Sequence, residues 1–286
     1  MNGSNATTHR PLPLLSHETL GPAGAPWVTF VPGIGNDRGF WADQAARLAG
    51  SYRVLLFDPW GHGESPPPPE NCHFNDMVAG LIALWDHVGV ARSALVGLGF
   101  GGSLAIATAL ANPDRVSAVV ACCCRPRLPD DRRVFWRDRR AQAGEIGMER
   151  IADITVDRWL SEDFRVANPA VDEHLRAAMR RTSLPGYRAY VDAFIEMDFT
   201  ARFGELACPM LLIAAELDHG GGPVSAMTEM AELIPGACLA VLPGVGHICV
   251  AEAPDALHEV ITPFLESLSD RPGGAFSETN NSNQSW

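Results

Sequence analysis

Six short apolar runs set the limits on this chain: Trp27–Val31, Arg53–Phe57, 93–96, Val116–Cys122, 210–214 and Cys238–Leu242. Helical patterns over 41–48, Phe74–Val88, Val224–Leu233 and 253–268 stand among and after them. Apolar runs of this length without polar alternation read as strands covered on both faces. Their alternation with helices implies a mostly parallel sheet with helices on either side. A chain of 286 residues, 47% of them hydrophobic, can fill such a core as one α/β unit.

The pattern changes over residues 125–199, which are helical throughout, rich in Arg, Asp, Trp and Tyr, and without a convincing strand. This segment is expected to be an insertion, a helical cap over the C-terminal edge of the sheet. The division expected is a first part of the core over 1–124, the cap over 125–199, a second part of the core over 200–269 and a polar, disordered tail over 270–286. A net charge of −12 argues against nucleic acid as a partner, and all 22 basic residues are arginine. No apolar run reaches the roughly 18 residues of a membrane span, and the N-terminus lacks a basic-then-apolar leader. Of seven cysteines, Cys122, Cys123 and Cys124 are consecutive and no C-x-x-C pair occurs, so a reduced, cytoplasmic protein without a cysteine metal site is expected. Sequons at Asn2, Asn5, Asn280 and Asn283 lie in the tails and mean nothing without secretion.

The stretch VGLGFGG, residues 96–102, follows a strand-like run and opens a helix-like one. In this setting an α/β-hydrolase presents its nucleophile as G-x-S-x-G on a sharp turn. Here the five residues are Gly97, Leu98, Gly99, Phe100 and Gly101, so glycine stands at the serine position. Further motifs agree in order. FVPGIGNDRGFW resembles the loop after the third strand of that family. Asp58-Pro-Trp-Gly-His-Gly-Glu-Ser65 resembles its D-x-R-G-x-G-x-S turn, with Trp60 for arginine; Ala215-Glu-Leu-Asp218 resembles the acid turn and Pro243-Gly-Val-Gly-His247 the histidine turn. Over residues 20–268 the chain therefore resembles the α/β-hydrolase superfamily. The cap segments RWLSEDF and PGYRAYVDAF resemble its 3-oxoadipate enol-lactonase branch.

The resemblance implies an α/β-hydrolase fold with a helical cap. It also implies that Asp218 orients His247, and that the backbone N–H groups of Phe100 and Ile34 form an oxyanion hole. No metal and no organic cofactor are expected. Gly99 cannot form an acyl-enzyme; loss of the serine from a serine protease reduces turnover by roughly 10⁶. Ser103, one turn into the helix, should point away from the cleft, and Ser65 closes a structural turn. Cys123 and Cys124 are read first as small buried hydrophobes.

Three readings remain open. The first is a serine-independent enzyme that moves a proton at a carbon next to a carbonyl- or imine-like group, an epimerase or isomerase in natural-product or modified-peptide biosynthesis. Serine-less members of this fold resemble it, including those that epimerise a peptide aspartate in the bottromycin pathway. The second is a hydrolase or enol-lactonase in which His247 activates water. The third is a binding protein without chemistry. On the first reading, Gly99→Ser should not raise the native activity.

The substrate is expected to be peptide-like or a small molecule, and to bear a carboxylate; the oligomeric state stays open. Seven arginines in 125–140 read first as a solvated cap-helix face, and alternatively as a means of steering that carboxylate. Of the cap aromatics Trp136, Trp159, Phe164, Tyr187, Tyr190 and Phe194, most should be core and one or two should face ligand; Trp136, Trp159 and Tyr190 are the candidates. His62 reads as a turn residue and His219 as exposed.

Overall fold

The computed structural model describes residues 12–268. The sequons, the leader reading and the tail expected over 270–286 lie outside that range. Seven strands form one sheet: β1 His17–Leu20, β2 Trp27–Val31, β3 Arg53–Phe57, β4 Ser93–Leu98, β5 Val116–Cys122, β6 Met210–Ala215 and β7 Cys238–Leu242. Their order is β1-β3-β2-β4-β5-β6-β7; β1 is antiparallel to β3 and every other pairing is parallel. The helices are α1 Ala42–Leu48, α2 Phe74–Val88, α3 Phe100–Ala111, α4 Asp130–Trp159, α5 Glu162–Ala167, α6 Pro169–Arg181, α7 Leu184–Glu196, α8 Val224–Leu233, α9 Cys249–Glu252 and α10 Pro254–Glu266. Among the described residues no helix is long and apolar enough to cross a membrane.

Successive strand residues feed opposite faces, and two cores result. Val31, Leu55, Leu95, Val119 and Leu212 pack with Leu81, Leu84 and Trp85 of α2 and Leu104 and Ile106 of α3. Val28, Val54, Val96, Val120 and Ile213 pack with Trp41, Leu48 and, from α10, Leu257, Ile261 and Leu265. The central strands are covered on both faces, which is why they read as unbroken apolar runs. Strand β1 escaped the sequence reading because HETL is short, polar and only partly buried. Strand β4 runs two residues past the apolar signal, since Gly97 reads as a loop residue. Trp60, where the related turn has arginine, is buried. Its Nε1 donates to the Pro13 carbonyl at 2.8 Å, and its ring lies against Gly80 of α2.

Helices α4 to α7 lie between β5 and β6 in sequence, and an isolated bridge, Arg127 to Asp198, pairs the chain just outside the two ends of this helical segment. Helix α4 is broken at Gly147, whose φ of 76° leaves the helical region. Along a straight helix Arg139 and Thr155 would be roughly 24 Å apart at 1.5 Å per residue. Instead Arg139 Nη2 donates to the Ile154 carbonyl at 3.1 Å and to Thr155 Oγ1 at 3.3 Å. The break folds the second half of α4 back on the first. Ser161, just past α4, ties this layer to the sheet through Glu252 of α9, with its N–H and Oγ donating to the carboxylate at 3.1 and 2.9 Å.

Candidate active site

The turn from β4 into α3 is made at Gly99, with φ 58° and ψ −122°. Side chains rarely adopt that backbone, and a nucleophile held there is strained into the open. The flanking glycines have a packing reason of their own. A Cβ on Gly97 would strike the Gly101 carbonyl, and one on Gly101 would strike the Val31 carbonyl. A Cβ on Gly99 would meet only the imidazole of His247, with Nε2 at 3.3 Å. Phe100 is the first residue of α3, where the backbone N–H has no partner within the helix. Ile34 lies in the loop after β2, and both residues line the cleft that contains Gly99 and His247.

The loop 33–36 is held from below by His62. Its Nε2 accepts from the Gly35 N–H at 3.0 Å, which leaves Nδ1 to donate to the Trp60 carbonyl at 3.0 Å. This uses the neutral ring fully, and burial presses its pKa down to about 4, against the smaller raising effects of the Trp60 carbonyl and Asp37. His62 is thus a buried tether for the loop. The turn sequence placed it correctly, without giving a hint of this partner.

Asp218 follows β6 and His247 follows β7. Asp218 Oδ2 bonds His247 Nδ1 at 2.9 Å. Its Oδ1 accepts from the N–H groups of Gly220 and Gly221 at 2.9 and 2.8 Å, and Oδ2 also accepts from Gly222 at 2.8 Å. The three glycines after His219 thus form a nest of donors around the carboxylate, a role that went unread although the run is plain in the sequence. Burial works against the Asp218 charge, but His247 and these N–H groups outweigh it and hold the carboxyl well below its usual range. Burial would likewise lower His247; the Asp218 charge and hydrogen bond, with a smaller part from Cys123, override it and raise the imidazole. Its side chain keeps 13% of its surface exposed, so a ligand in the cleft can touch it.

The cleft over Gly99 is narrow and opens to solvent at its mouth. From the layer above come Phe135, Trp136, Trp159, Tyr187 and Phe194; Arg125, Arg139 and Arg158 supply charge. Of the aromatic candidates, Trp136 and Trp159 therefore reach the cleft. Tyr190 does not. It is buried behind the lining, edge-on to His62 at 5.0 Å and to Phe100 at 5.3 Å, with its hydroxyl against the Trp60 backbone. Phe164 packs elsewhere in the core. Of the arginine run, Arg125 and Arg139 turn inward, and Arg158 joins them from outside it. Asn36 Oδ1 and Tyr187 Oη have no hydrogen-bond partner among the described residues.

Among the described residues no other hydroxyl stands in a nucleophile's place beside Gly99 and His247. Ser103 Oγ donates to the Arg125 carbonyl at 2.7 Å and Ser65 Oγ to the Asp58 carbonyl at 2.6 Å. Cys123 lies beside His247 and lines the cleft, yet Cys249 and burial hold its thiol well above its usual pKa, protonated and a poor nucleophile. Cys123, Asp218 and His247 bring potential metal ligands within 4.8 Å of one another. Asp218, however, already accepts three backbone N–H groups and the imidazole, which leaves it little to offer a cation.

A parallel sheet with an acid after β6, a histidine after β7 and a strained turn between β4 and α3 defines the core of an α/β-hydrolase-type protein. The chain belongs to the alpha/beta hydrolase family, whose profile matches residues 30–260. It is 26% identical to 3-oxoadipate enol-lactonase 2 of Acinetobacter baylyi, over 89% of this chain and 94% of that protein. Among solved structures it is similar to the enol-lactonase of Burkholderia xenovorans, with TM-score 0.84, 28% identity and 88% and 96% of the two chains covered. It is also similar to a thermophilic esterase of Thermogutta terrifontis solved with malate bound, with TM-score 0.82, 27% identity and coverage of 89% and 93%.

Proposed function

We propose that the protein is a hydrolase of small lactones or esters that works without an acyl-enzyme. In its neutral form His247, oriented by Asp218, takes a proton from a water molecule as that water's oxygen attacks the substrate carbonyl, so the raised imidazole makes activity climb with pH. The N–H groups of Phe100 and Ile34 hold the oxygen that becomes negative. The imidazolium then returns the proton to the leaving oxygen. The observation that carries this reading is Gly99: it keeps the elbow backbone and faces His247 Nε2, but offers no nucleophilic atom. The lactonase and esterase relatives support hydrolysis over other chemistry. The malate in the esterase structure agrees with a substrate that bears a carboxylate.

A second reading has one observation in its favour. Gly99 removes the nucleophile alone, while the dyad and the backbone donors suffice for proton transfer at a carbon next to a carbonyl or imine, as in peptide aspartate epimerisation. The two readings separate in D₂O. Purified protein is incubated with enol-lactones, simple esters and aspartate-containing peptides, and substrate and protein are both weighed by mass spectrometry. Addition of water with no acyl adduct on the protein is the expected result. A one-unit gain with the skeleton intact would transfer the assignment to epimerisation or isomerisation. An acyl adduct during turnover would refute both.

A further inference from the structure

The cleft is charged in one sense. Arg125, Arg139 and Arg158 line it, and its lining contains no aspartate or glutamate. Among the described residues none of the three guanidinium groups has a carboxylate within ion-pair distance. Two arginines of the same layer show the contrast: Arg176 reaches Asp153, Asp157 and Asp172, and Arg180 reaches Glu149, Asp153 and Glu173. Asp218, whose charge acts on Arg125 and Arg158, is taken up by His247 and its nest of N–H groups.

Neutral groups hold these arginines instead. Arg125 Nε donates to the Gly221 carbonyl. Arg139 is 8% exposed, held by Ile154 and Thr155, and lies 5.7 Å from the Phe135 ring. Arg158, at the mouth, stacks on the same ring at 4.5 Å. Tyr187, 1% exposed, brings an unpartnered hydroxyl into the same lining. Two cations on one ring beside an unpartnered phenol, with no carboxylate in the lining, make a surface suited to an anion. The His247–Asp218 pair is neutral or carries one negative charge, so two to three positive charges stay uncompensated.

We propose that the cleft binds a compact dianion, either two carboxylates on a short skeleton or one phosphate. Arg139 and Arg158 grip the charged end, Tyr187 Oη donates to it, and Arg125 stands on the side of the reacting dyad. A monoanion would leave one or two positive charges in the lining; a dianion leaves at most one. This rests on the reading of the cleft as the active site and specifies the substrate's charge.

The test is binding by the full chain above pH 7 at fixed ionic strength, measured by calorimetry and thermal shift. The probes are malonate, succinate and glutarate, the monomethyl ester of each, and inorganic phosphate. At least one dianion should bind about tenfold more tightly than its monoester or than any monoanion. If phosphate is the stronger ligand the head group is a phosphate, and if a diacid is stronger it is a dicarboxylate. Arg158→Gln and Arg139→Gln should each erase most of that preference, and Tyr187→Phe a smaller part. Equal binding of diacids and monoesters by the native protein, with no response to phosphate, overturns the proposal whether or not the variants fold. His247→Ala should abolish turnover yet retain dianion binding, so a failure of the proposed chemistry is distinguishable from a failure of the anion site.

Discussion

At residue 99 the backbone and the chemistry point in different directions. A φ of 58° suits glycine and strains any other residue by roughly 1–2 kcal/mol, a strain that hydrolases of this fold accept in order to expose a serine. Gly99→Ser should therefore destabilise the protein by about that amount, and His247 must shift by a few tenths of an ångström to admit the new Cβ. The same variant should gain covalent labelling by a fluorophosphonate, which the native protein should not show. Labelling should vanish when His247→Ala is added. A variant that folds and stays unlabelled would mean that the elbow no longer aims side chains at His247.

At the scale of elements, the break in α4 decides whether a cleft exists. Gly147 has open space around its Cα, so Gly147→Ala meets no clash; it is penalised only for φ 76°. The expected loss is about 1–3 kcal/mol in urea unfolding. A changed near-UV signal from Trp136 and Trp159 should accompany it as the two halves of α4 part. Gly204→Ala, equally uncrowded but without the positive φ, is the control and should change stability little. Equal effects at the two sites would show that the break does not depend on glycine. This break is also why the sequence could not single out which arginines line the cleft. Periodicity along one helix cannot show that Arg139 will meet Thr155, or that Arg158 will share a ring with Arg139.

For the whole molecule, His62 couples acid stability to the integrity of the site. Its folded pKa of about 4 lies below the ordinary imidazole value, so the unfolded chain takes up a proton first. The stability it contributes is full above pH ~6.5 and is lost as the pH falls toward 4, by at most roughly 3 kcal/mol. Unfolding measured across that range should fall more steeply for the native protein than for His62→Gln; parallel curves would rule the tether out. The sequence by itself determined six of the seven strands, the helices of the α/β core and the order of the turn motifs, because these follow from local apolar period and from glycine, aspartate and histidine at fixed spacings. It also placed Gly99, Asp218 and His247 at matching turns. Only the tertiary structure decided that Tyr190 stands behind the cleft, that Gly220 to Gly222 cradle Asp218, and that three arginines lack a counter-ion. Those are questions of which distant groups share one low-dielectric space, and no local pattern encodes that.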